Sequence, residues 1–373
     1  MSAATTTPHT PWPTVKLGDV CELKNGYTPK AEELNEQGVI PYFRISAMNF
    51  EGNEKRMIKP TAWLASKKRC FNAGSIVFPK NGGAVYTRKV RVLEYDSVVD
   101  LNTGVCTPDK KTIDCEYLYH WFSNLNITDV VVEGTIPFVD FGMLREVSIP
   151  LPSLDIQREI VAKVEAGLKE ADALAAHFKR LAALADDTFK AELDETFSTL
   201  NAPTVKLGDV CERLSSGKNI TAKHLTMSGT IPVFGANGLR GFTKSSNFNG
   251  ECVIIGRQGA QCGNVRYFQG EAYMTDHAVV AQFKNYVNTT FMMYTLKSLN
   301  LGSLSKQAAQ PGLSVCTLSI QEFPLPSLDI QREIVAKLEA VKARCERLKS
   351  EAERGLKAAE ALRKAVLAEA FEQ

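Results

Sequence analysis

A cation, an amide side chain and a glycine follow one another twice in the chain, each time after a short apolar run. The two stretches are Lys80-Asn81-Gly82 and Arg257-Gln258-Gly259. Lysine and arginine can donate to O6 and N7 of guanine in the DNA major groove, and asparagine and glutamine pair with N6 and N7 of adenine. The pattern therefore favours two related loops that read bases. A hairpin whose polar residues only satisfy its own turn is the alternative.

Further cations and amides lie close to both stretches in the sequence. They complete the set of candidate DNA contacts: Arg88, Lys89 and Arg91 after the first stretch, and Gln261, Asn264 and Arg266 after the second. Positive side chains hold a protein on phosphates, whereas side chains in a groove read the bases. A charge cluster alone is more often a solvated face, so the amides carry most of this prediction.

Catalytic chemistry is not indicated. The chain has neither a Gly-x-x-x-x-Gly-Lys-Ser/Thr loop for ATP nor an Asn/Asp-Pro-Pro-Tyr/Phe motif, which is typical of methyltransferases. Its nine cysteines show no Cys-x-x-Cys spacing, and Asp276-His277 is interpreted as structural. We therefore expect a chain that is not an enzyme, with no catalytic residue, no metal site and no cofactor of its own. The cysteines suit a reduced, cytoplasmic protein.

An internal repeat organises the sequence. Residues 14–22 recur without a change at 204–212, and residues 151–166 recur at 325–340 with one difference. The chain thus alternates two kinds of segment, each present twice. The intervals between them contain short β-rich runs, at 75–78, 90–93, 253–255 and 278–283, and one helical stretch each, at 116–125 and 289–299. The fold class predicted is α+β, with two β-rich domains of related frame.

The repeat sets the predicted boundaries. These are a flexible tail at 1–13, a first recognition domain at 14–150, a first helix at 151–203, a second recognition domain at 204–324 and a second helix at 325–373.

Both helical segments carry apolar residues that alternate by three and four, which is a heptad seam. The predicted seam residues are Ile160, Val164, Ala171, Leu174, Phe178 and Leu181 in the first helix, and Ile334, Leu338, Val341, Cys345, Leu348 and Leu362 in the second. Helices of some forty residues are about 60 Å long, too long for one small domain to bury. We predict that they pair as an antiparallel coiled coil with approximate two-fold symmetry. The alternative is that each helix packs only on its own domain.

The net charge of +2 conceals an uneven distribution. Residues 201–324 carry 11 basic and 6 acidic side chains, whereas residues 151–200 carry 6 and 10. Near-neutrality is therefore a cancellation and does not argue against DNA. Hydrophobic residues make up 44% of the chain, which is ordinary globular composition, and the longest apolar runs have the length of strands. We expect no membrane association.

The sequence Pro-Leu-Pro-Ser-Leu-Asp-Ile-Gln-Arg-Glu-Ile-Val occurs at 150–161 and again at 324–335, each time after a variable β-rich segment that opens with Lys-Leu-Gly-Asp-Val. In this the chain resembles the specificity subunit of type I restriction-modification enzymes. The stretch 255–265 and Thr275-Asp276 are also similar to patterns in the target recognition domains of that family.

The resemblance implies a division of labour within an anti-phage defence complex. Each recognition domain would bind one half of a split double-stranded DNA target, and the paired helices would set the spacing. Two modification subunits would use S-adenosylmethionine to methylate adenine N6, and two restriction subunits would use ATP and Mg²⁺ for translocation and cleavage. Two other classes stay open: a tandem module that binds something other than nucleic acid, and an enzyme with an unrecognised site.

Overall fold

The computed structural model describes residues 12–66, 69–259, 261–304 and 312–371. It divides the chain into two compact units. Unit 1 comprises residues 1–177 and 354–373, and unit 2 comprises residues 178–353. Residues 1–11 of the predicted tail lie outside the described residues, and the carbonyl of Pro13 accepts a hydrogen bond from the Leu151 N–H at 2.8 Å.

The strands of unit 1 form several small sheets. They are Thr14–Lys16 (β1), Cys21–Asn25 (β2), Ile40–Phe43 (β3), Arg56–Met57 (β4), Ala62–Leu64 (β5), Ile76–Pro79 (β6), Arg91–Leu93 (β7), Val98–Val99 (β8), Thr103–Pro108 (β9), Val131–Val132 (β10), Phe138–Val139 (β11) and Ser148–Pro150 (β12). The central sheet has the order β2-β9-β6-β7-β4, and β5-β3-β8 form a second sheet. The strand β1 pairs with β12 and so closes the domain at its two ends.

Unit 2 has longer strands, six of which form one larger sheet. Its strands are Thr204–Lys206 (β13), Cys211–Ser216 (β14), Ile231–Gly235 (β15), Gly238–Thr243 (β16), Phe248–Gly256 (β17), Val265–Met274 (β18), Ala278–Phe283 (β19) and Glu322–Pro324 (β20). The sheet order is β14-β19-β17-β18-β15-β16, and β13 pairs with β20 as β1 does with β12. The predicted strand at 278–283 is confirmed at both ends.

The α-helices are Leu17–Val20 (α1), Cys115–Asn124 (α2), Phe141–Glu146 (α3), Leu154–Ser198 (α4), Leu207–Val210 (α5), Thr289–Ser298 (α6), Val315–Ser319 (α7) and Leu328–Phe371 (α8). The predicted helices near 116–125 and 289–299 are confirmed as α2 and α6. Asp114 and Asn288 stand just before them, and each side chain accepts backbone N–H bonds from the first turn. The α+β class with two long helices is confirmed.

Within each unit, α4 and α8 run antiparallel. In unit 1, Asp172 of α4 forms an ion pair with Arg363 of α8 at 2.7 Å. Gly167 of α4 faces Val366 of α8, since a Cβ on the glycine would lie 2.8 Å from Cγ2 of the valine. In unit 2, Lys337 lies 2.6 Å from Glu192. Residue numbers therefore fall in one helix as they rise in the other. In each unit, both helices also pack on the β-rich domain. Ile160 of α4 and Phe371 of α8 join the core of unit 1, and Leu193 of α4 and Leu338 of α8 join the core of unit 2.

Burial along the helices has a period of seven. The buried residues at this spacing are Gln157, Val164, Ala171 and Ala185 in α4, and Gln331, Leu338, Cys345, Ala352 and Ala359 in α8. Leu193 and Phe371 are also buried, in the cores of the two units. The other predicted seam residues Ile160, Phe178, Leu181, Ile334, Val341, Leu348 and Leu362 are half-buried. Leu174 differs, because 38% of it is exposed at the border of the seam. Small residues at the buried positions let the two backbones approach closely.

Candidate nucleic-acid interface

Three loops meet at one edge of the central sheet in unit 1. Residues 26–28 follow β2, residues 80–82 follow β6, and residues 100–102 precede β9. The strand register brings these loops together, because Asn25 pairs with Gly104 and Pro79 pairs with Thr103. We call residues 26–28, 80–82 and 100–102 loop edge 1. The corresponding loops of unit 2, residues 217–219, 257–259 and 275–277, are loop edge 2.

The two loop edges share a backbone hydrogen-bond frame, although their side chains differ. Five N–H donors of loop edge 1 and its borders have a counterpart. In unit 1, the N–H groups of Gly26, Tyr27, Lys80, Asp100 and Val139 donate to the carbonyls of Thr103, Val99, Asn102, Phe43 and Lys80, respectively. In unit 2, in the same order, the N–H groups of Gly217, Lys218, Arg257, Thr275 and Leu313 donate to the carbonyls of Ala278, Met274, His277, Phe234 and Arg257. All of these distances lie between 2.7 and 3.0 Å. The frame is thus a property of the repeat, and the side chains on it are the variable part.

One glycine in each frame allows the loops to approach this closely. A Cβ on Gly26 would overlap the carbonyl oxygen of Asp100, and a Cβ on Gly217 would overlap that of Met274. Only a residue without a side chain fits at either place.

The predicted residues Lys80, Asn81 and Gly82 lie together in loop edge 1. The ammonium of Lys80 lies 5.1 Å from the ring centroid of Phe141, a cation–π distance. Nδ2 of Asn81 donates to Oδ1 of Asn102 at 3.4 Å. Gly82 has φ +71°, a left-handed conformation that glycine adopts without strain.

The other three predicted cations of unit 1 hydrogen-bond to neighbouring parts of the domain. Arg88 donates to Oδ1 of Asn126 at 2.6 Å, and Lys89 donates to Asn49. The guanidinium of Arg91 donates to the carbonyls of Val90 at 2.8 Å and Met48 at 3.2 Å, and burial lowers its pKa. These contacts give Arg91 a structural task within its own domain.

In unit 2, Arg257, Gln258 and Gly259 occupy the same place on the frame. Nη1 of Arg257 lies 3.4 Å from both Oγ of Ser216 and the carbonyl of Asp276, which orients the guanidinium at the loop edge. Gln258 is exposed. Gly259 has φ +80°, a left-handed conformation that favours glycine. A Cβ there would meet nothing within 4 Å, so the backbone conformation, and not a lack of space, favours glycine at this position.

Gln261 and Asn264 lie on the connection from β17 to β18, and Arg266 is the second residue of β18. The backbone of Asn264 bonds to Gln261 at 3.1 Å and to Gly256 at 2.8 Å, which holds the connection in a tight turn. Gln261 and Arg266 are exposed, and Nη2 of Arg266 donates to the carbonyl of Asn237 at 3.2 Å.

Sequence reasoning missed the loops that carry no cation. Thr28, Leu101 and Asn102 are exposed in loop edge 1, and Asp276 and His277 are half-exposed in loop edge 2. The signal was weak, because no residue of 100–102 is identical to its counterpart in 275–277. The pairing of strands that are distant in the sequence brings these residues beside Lys80 and Arg257, so no single sequence segment indicates the proximity.

A cluster of ionisable groups outside the loop edges joins α2 to α4 in unit 1. Possible metal-ligating atoms of Glu116, His120 and Glu165 lie within 4.8 Å of one another. The ammonium of Lys55 lies 2.9 Å from Glu116 and 2.7 Å from Glu165, where a cation would bind. Lysine therefore supplies the positive charge. Burial first, and then the Lys55 ammonium, lower the pKa of His120, which is 3% exposed.

Comparison with known proteins matches residues 9–176 and 201–357 to the family described as the type I restriction modification DNA specificity domain. The match occurs twice and covers most of the chain. The chain belongs to this family. Each matched segment contains one β-rich domain and part of the long helix that follows it, so the internal repeat corresponds to two copies of the family domain.

Relatives of the specificity family span nearly the same length. The chain is 27% identical over 358 residues to the type I restriction enzyme EcoprrI specificity subunit of Escherichia coli, covering 87% of this chain and 86% of that one. It is 26% identical over 140 residues to a putative type I restriction enzyme specificity subunit of Haemophilus influenzae, covering 37% and 36%.

Solved structures share the fold. A chain from a structural study of complex assembly and conformational transition of the type I R-M system has a TM-score of 0.78 at 20% identity, covering 97% of this chain and 99% of that one. The HsdS subunit from Thermoanaerobacter tengcongensis has a TM-score of 0.64 at 21% identity, covering 100% and 99%. In the part of the chain that the structure describes, no helix has the length and apolar character needed to cross a membrane.

Proposed function

We propose that each loop edge reads one half of a bipartite double-stranded DNA target. The observation that carries the proposal is the shared backbone frame with different side chains on it: Lys80 against Arg257, Asn81 against Gln258, and Asn102 against His277. A constant frame fixes the position of the loops in a groove, and exchanged side chains change which base edges they match.

The side chains fit direct readout in chemical terms. Arg257 can donate two N–H groups of its guanidinium to O6 and N7 of guanine, and Gln258 is exposed beside it to pair with adenine. Loop edge 1 offers the shorter amides of Asn81 and Asn102, with Lys80 beside them. The exposed cations Arg88 and Arg266 supply phosphate contacts that hold the register on the duplex.

The helices α4 and α8 provide spacing and docking in this proposal. Their antiparallel pairing within each unit makes them a ruler between the two half-sites, and their charged outward faces receive two modification subunits. Those subunits use S-adenosylmethionine to methylate adenine N6. Two restriction subunits that use ATP and Mg²⁺ complete the complex. This chain performs no catalysis and binds no cofactor itself.

Methylome sequencing tests the proposal. Cells that express this chain with its modification subunits should show N6-methyladenine at one bipartite motif, and cells without this chain should lose that motif entirely. A motif that persists without the chain, or one without two separated halves, would contradict it. The assembled complex should also bind the motif with an affinity that falls steeply with salt, as phosphate contacts require. Binding independent of salt would point to a ligand other than DNA.

A further inference from the structure

Loop edge 1 presents an apolar side chain to solvent. Leu101 is 55% exposed, and its backbone is held on both sides. Its N–H donates to Oγ1 of Thr28 at 3.2 Å, and its carbonyl accepts from Nδ2 of Asn81 at 3.5 Å. The leucine therefore has a defined position, and its exposure leaves apolar surface available to a ligand.

The residue before it anchors the loop. Asp100 is only 7% exposed, and its carboxylate accepts the Ile45 N–H at 2.9 Å and the Thr103 hydroxyl at 2.7 Å. These bonds satisfy the carboxylate and fix the turn that carries Leu101. A rigid support for an exposed leucine is what a contact residue requires.

Polar groups flank this leucine in a pattern that matches one base pair. Nδ2 of Asn81 donates to Oδ1 of Asn102 at 3.4 Å. Within the described ranges, this leaves Oδ1 of Asn81 as an acceptor and Nδ2 of Asn102 as a donor. Adenine presents an N6 donor and an N7 acceptor in the major groove, and its partner thymine presents a C5-methyl group there. Asparagine amides beside a leucine suit both members of an A·T pair.

Among the described residues of the two loop edges, an exposed leucine occurs in loop edge 1 only. Phe138, which is 38% exposed, pairs with Asn81 in a β-bridge. At the equivalent positions of unit 2, the repeat frame places Asp276 and Gly312. A methyl contact at loop edge 2 is therefore not available from these positions.

We propose that loop edge 1 reads an A·T pair, with Leu101 against the C5-methyl of thymine and the amides of Asn81 and Asn102 on adenine. The proposal rests on the proposed function and deepens it, because it names the base pair and the residue that senses it. Leu101 is then a specificity-determining residue for unit 1.

Uracil substitution tests the methyl contact. The assembled complex is bound to duplexes that carry its own motif, and each thymine in the half-site assigned to unit 1 is replaced in turn by deoxyuridine, which lacks only the methyl group. Loss of one buried methyl contact should weaken binding about fourfold at one position. Leu101→Ala should weaken binding to the normal duplex by about as much or more, and should show no further loss with uracil at that position. Leu101→Met, which keeps the apolar contact, should retain the uracil effect.

Leu239→Ala is the matched control, since Leu239 in unit 2 is also 55% exposed. In that variant the uracil effect should remain in full. A second arm uses 7-deazaadenine, which lacks N7, opposite the sensitive thymine. It should weaken the wild type and leave Asn102→Ala unchanged.

Three DNA-binding results would overturn the inference while leaving the proposed function intact. One is a unit 1 half-site without an A·T pair, another is the absence of any uracil effect, and the third is additivity of uracil with Leu101→Ala at every thymine. Failure of Leu101→Ala complexes to assemble would assign the leucine to a protein contact and would also overturn it. Loss of all sequence preference in the wild-type complex would instead count against the proposed function.

Discussion

The side-chain oxygen of Gln157 accepts a hydrogen bond from the backbone N–H of Asp114 at 2.8 Å. This bond joins the first turn of α4 to the start of α2. Gln157 is fully buried, and its Nε2 donates to the carbonyls of Pro152 at 2.8 Å and Thr112 at 3.1 Å. The glutamine thus satisfies three backbone groups where helix and recognition domain meet.

The second copy of the motif repeats this joint. Gln331 is 1% exposed, and its Oε1 accepts from the N–H of Asn288 at 2.8 Å at the start of α6. Its Nε2 donates to Pro326 O and Tyr286 O. The conserved spacing of the repeated segment within the chain therefore has a physical cause, because the glutamine fixes each recognition domain on its helix.

Gln157→Leu should destabilise unit 1. It keeps most of the volume but removes the partner of the buried Pro152 carbonyl and those of the partly buried Asp114 N–H and Thr112 carbonyl. A buried group left unpaired costs about 1–3 kcal/mol, and a partly buried one costs less. Urea unfolding and hydrogen exchange at the first turn of α2 measure the effect. The exposed Glu159→Ala on the same helix is the control and should change stability by less than about 0.5 kcal/mol. Equal stability of the two variants would show that the joint is not energetically important.

Gly26→Ala should disrupt loop edge 1, because its Cβ would overlap the carbonyl of Asp100. The expected result is loss of recognition of one half-site with the other half retained. Gly83→Ala is the control, since a Cβ there meets nothing within 4 Å. Methylome sequencing of both variants measures the outcome. Normal methylation in the Gly26→Ala strain would mean that the close approach of the two loops is dispensable.

The cluster at His120 predicts a pH effect on stability. Burial and the Lys55 ammonium lower the folded-state pKa of His120 below its unfolded value of about 6.5. The unfolded chain therefore binds the proton first as the pH falls. The contribution of His120 to stability is present above pH ~6.5 and is lost as the pH falls through the folded-state pKa. His120→Gln should flatten the fall in unfolding free energy between about pH 7.5 and pH 5.5.

Tyr294 provides the matched control for that experiment. Tyr294 occupies the position in α6 that His120 occupies in α2, 174 residues earlier. Its hydroxyl donates to Glu339 at 2.6 Å. Burial first, and then the bond to Glu339, raise its pKa, so it stays neutral throughout the measured range. Tyr294→Phe should leave the pH slope as in the wild type. A wild-type slope in His120→Gln would show that another group is responsible.

The proposed spacing role of the helices predicts a change in the DNA target. One heptad inserted after Leu181 and another after Glu353 would lengthen both helices by about 10 Å at 1.5 Å per residue and keep the seam in register. The spacer between half-sites should lengthen by about three base pairs, with both half-sites unchanged. A heptad in α4 alone breaks the pairing and serves as the control. Recovery of the original spacer with the double insertion would contradict the proposal that helix length sets the spacing between the half-sites.

The local sequence pattern was sufficient to predict the long helices and the strand β19. The heptad alternation from Ile160 predicted α4, and the apolar run at 278–283 predicted β19, because both signals lie within one segment. The partners of Lys80 could not be predicted in the same way. Asn102 reaches it through the pairing of β6 with β9, and Val139 through β11, so the loop edge depends on register between distant segments.

Reciprocal variants in the two loop edges test the central claim most directly. Methylomes would be compared between cells with Lys80→Ala/Asn81→Ala and cells with Arg257→Ala/Gln258→Ala, each expressed with the modification subunits. We predict that the first pair relaxes or abolishes one half of the bipartite motif and the second pair the other half, with the spacer unchanged in both. If both pairs affected the same half, or both halves equally, the assignment of one half-site to each loop edge would be wrong.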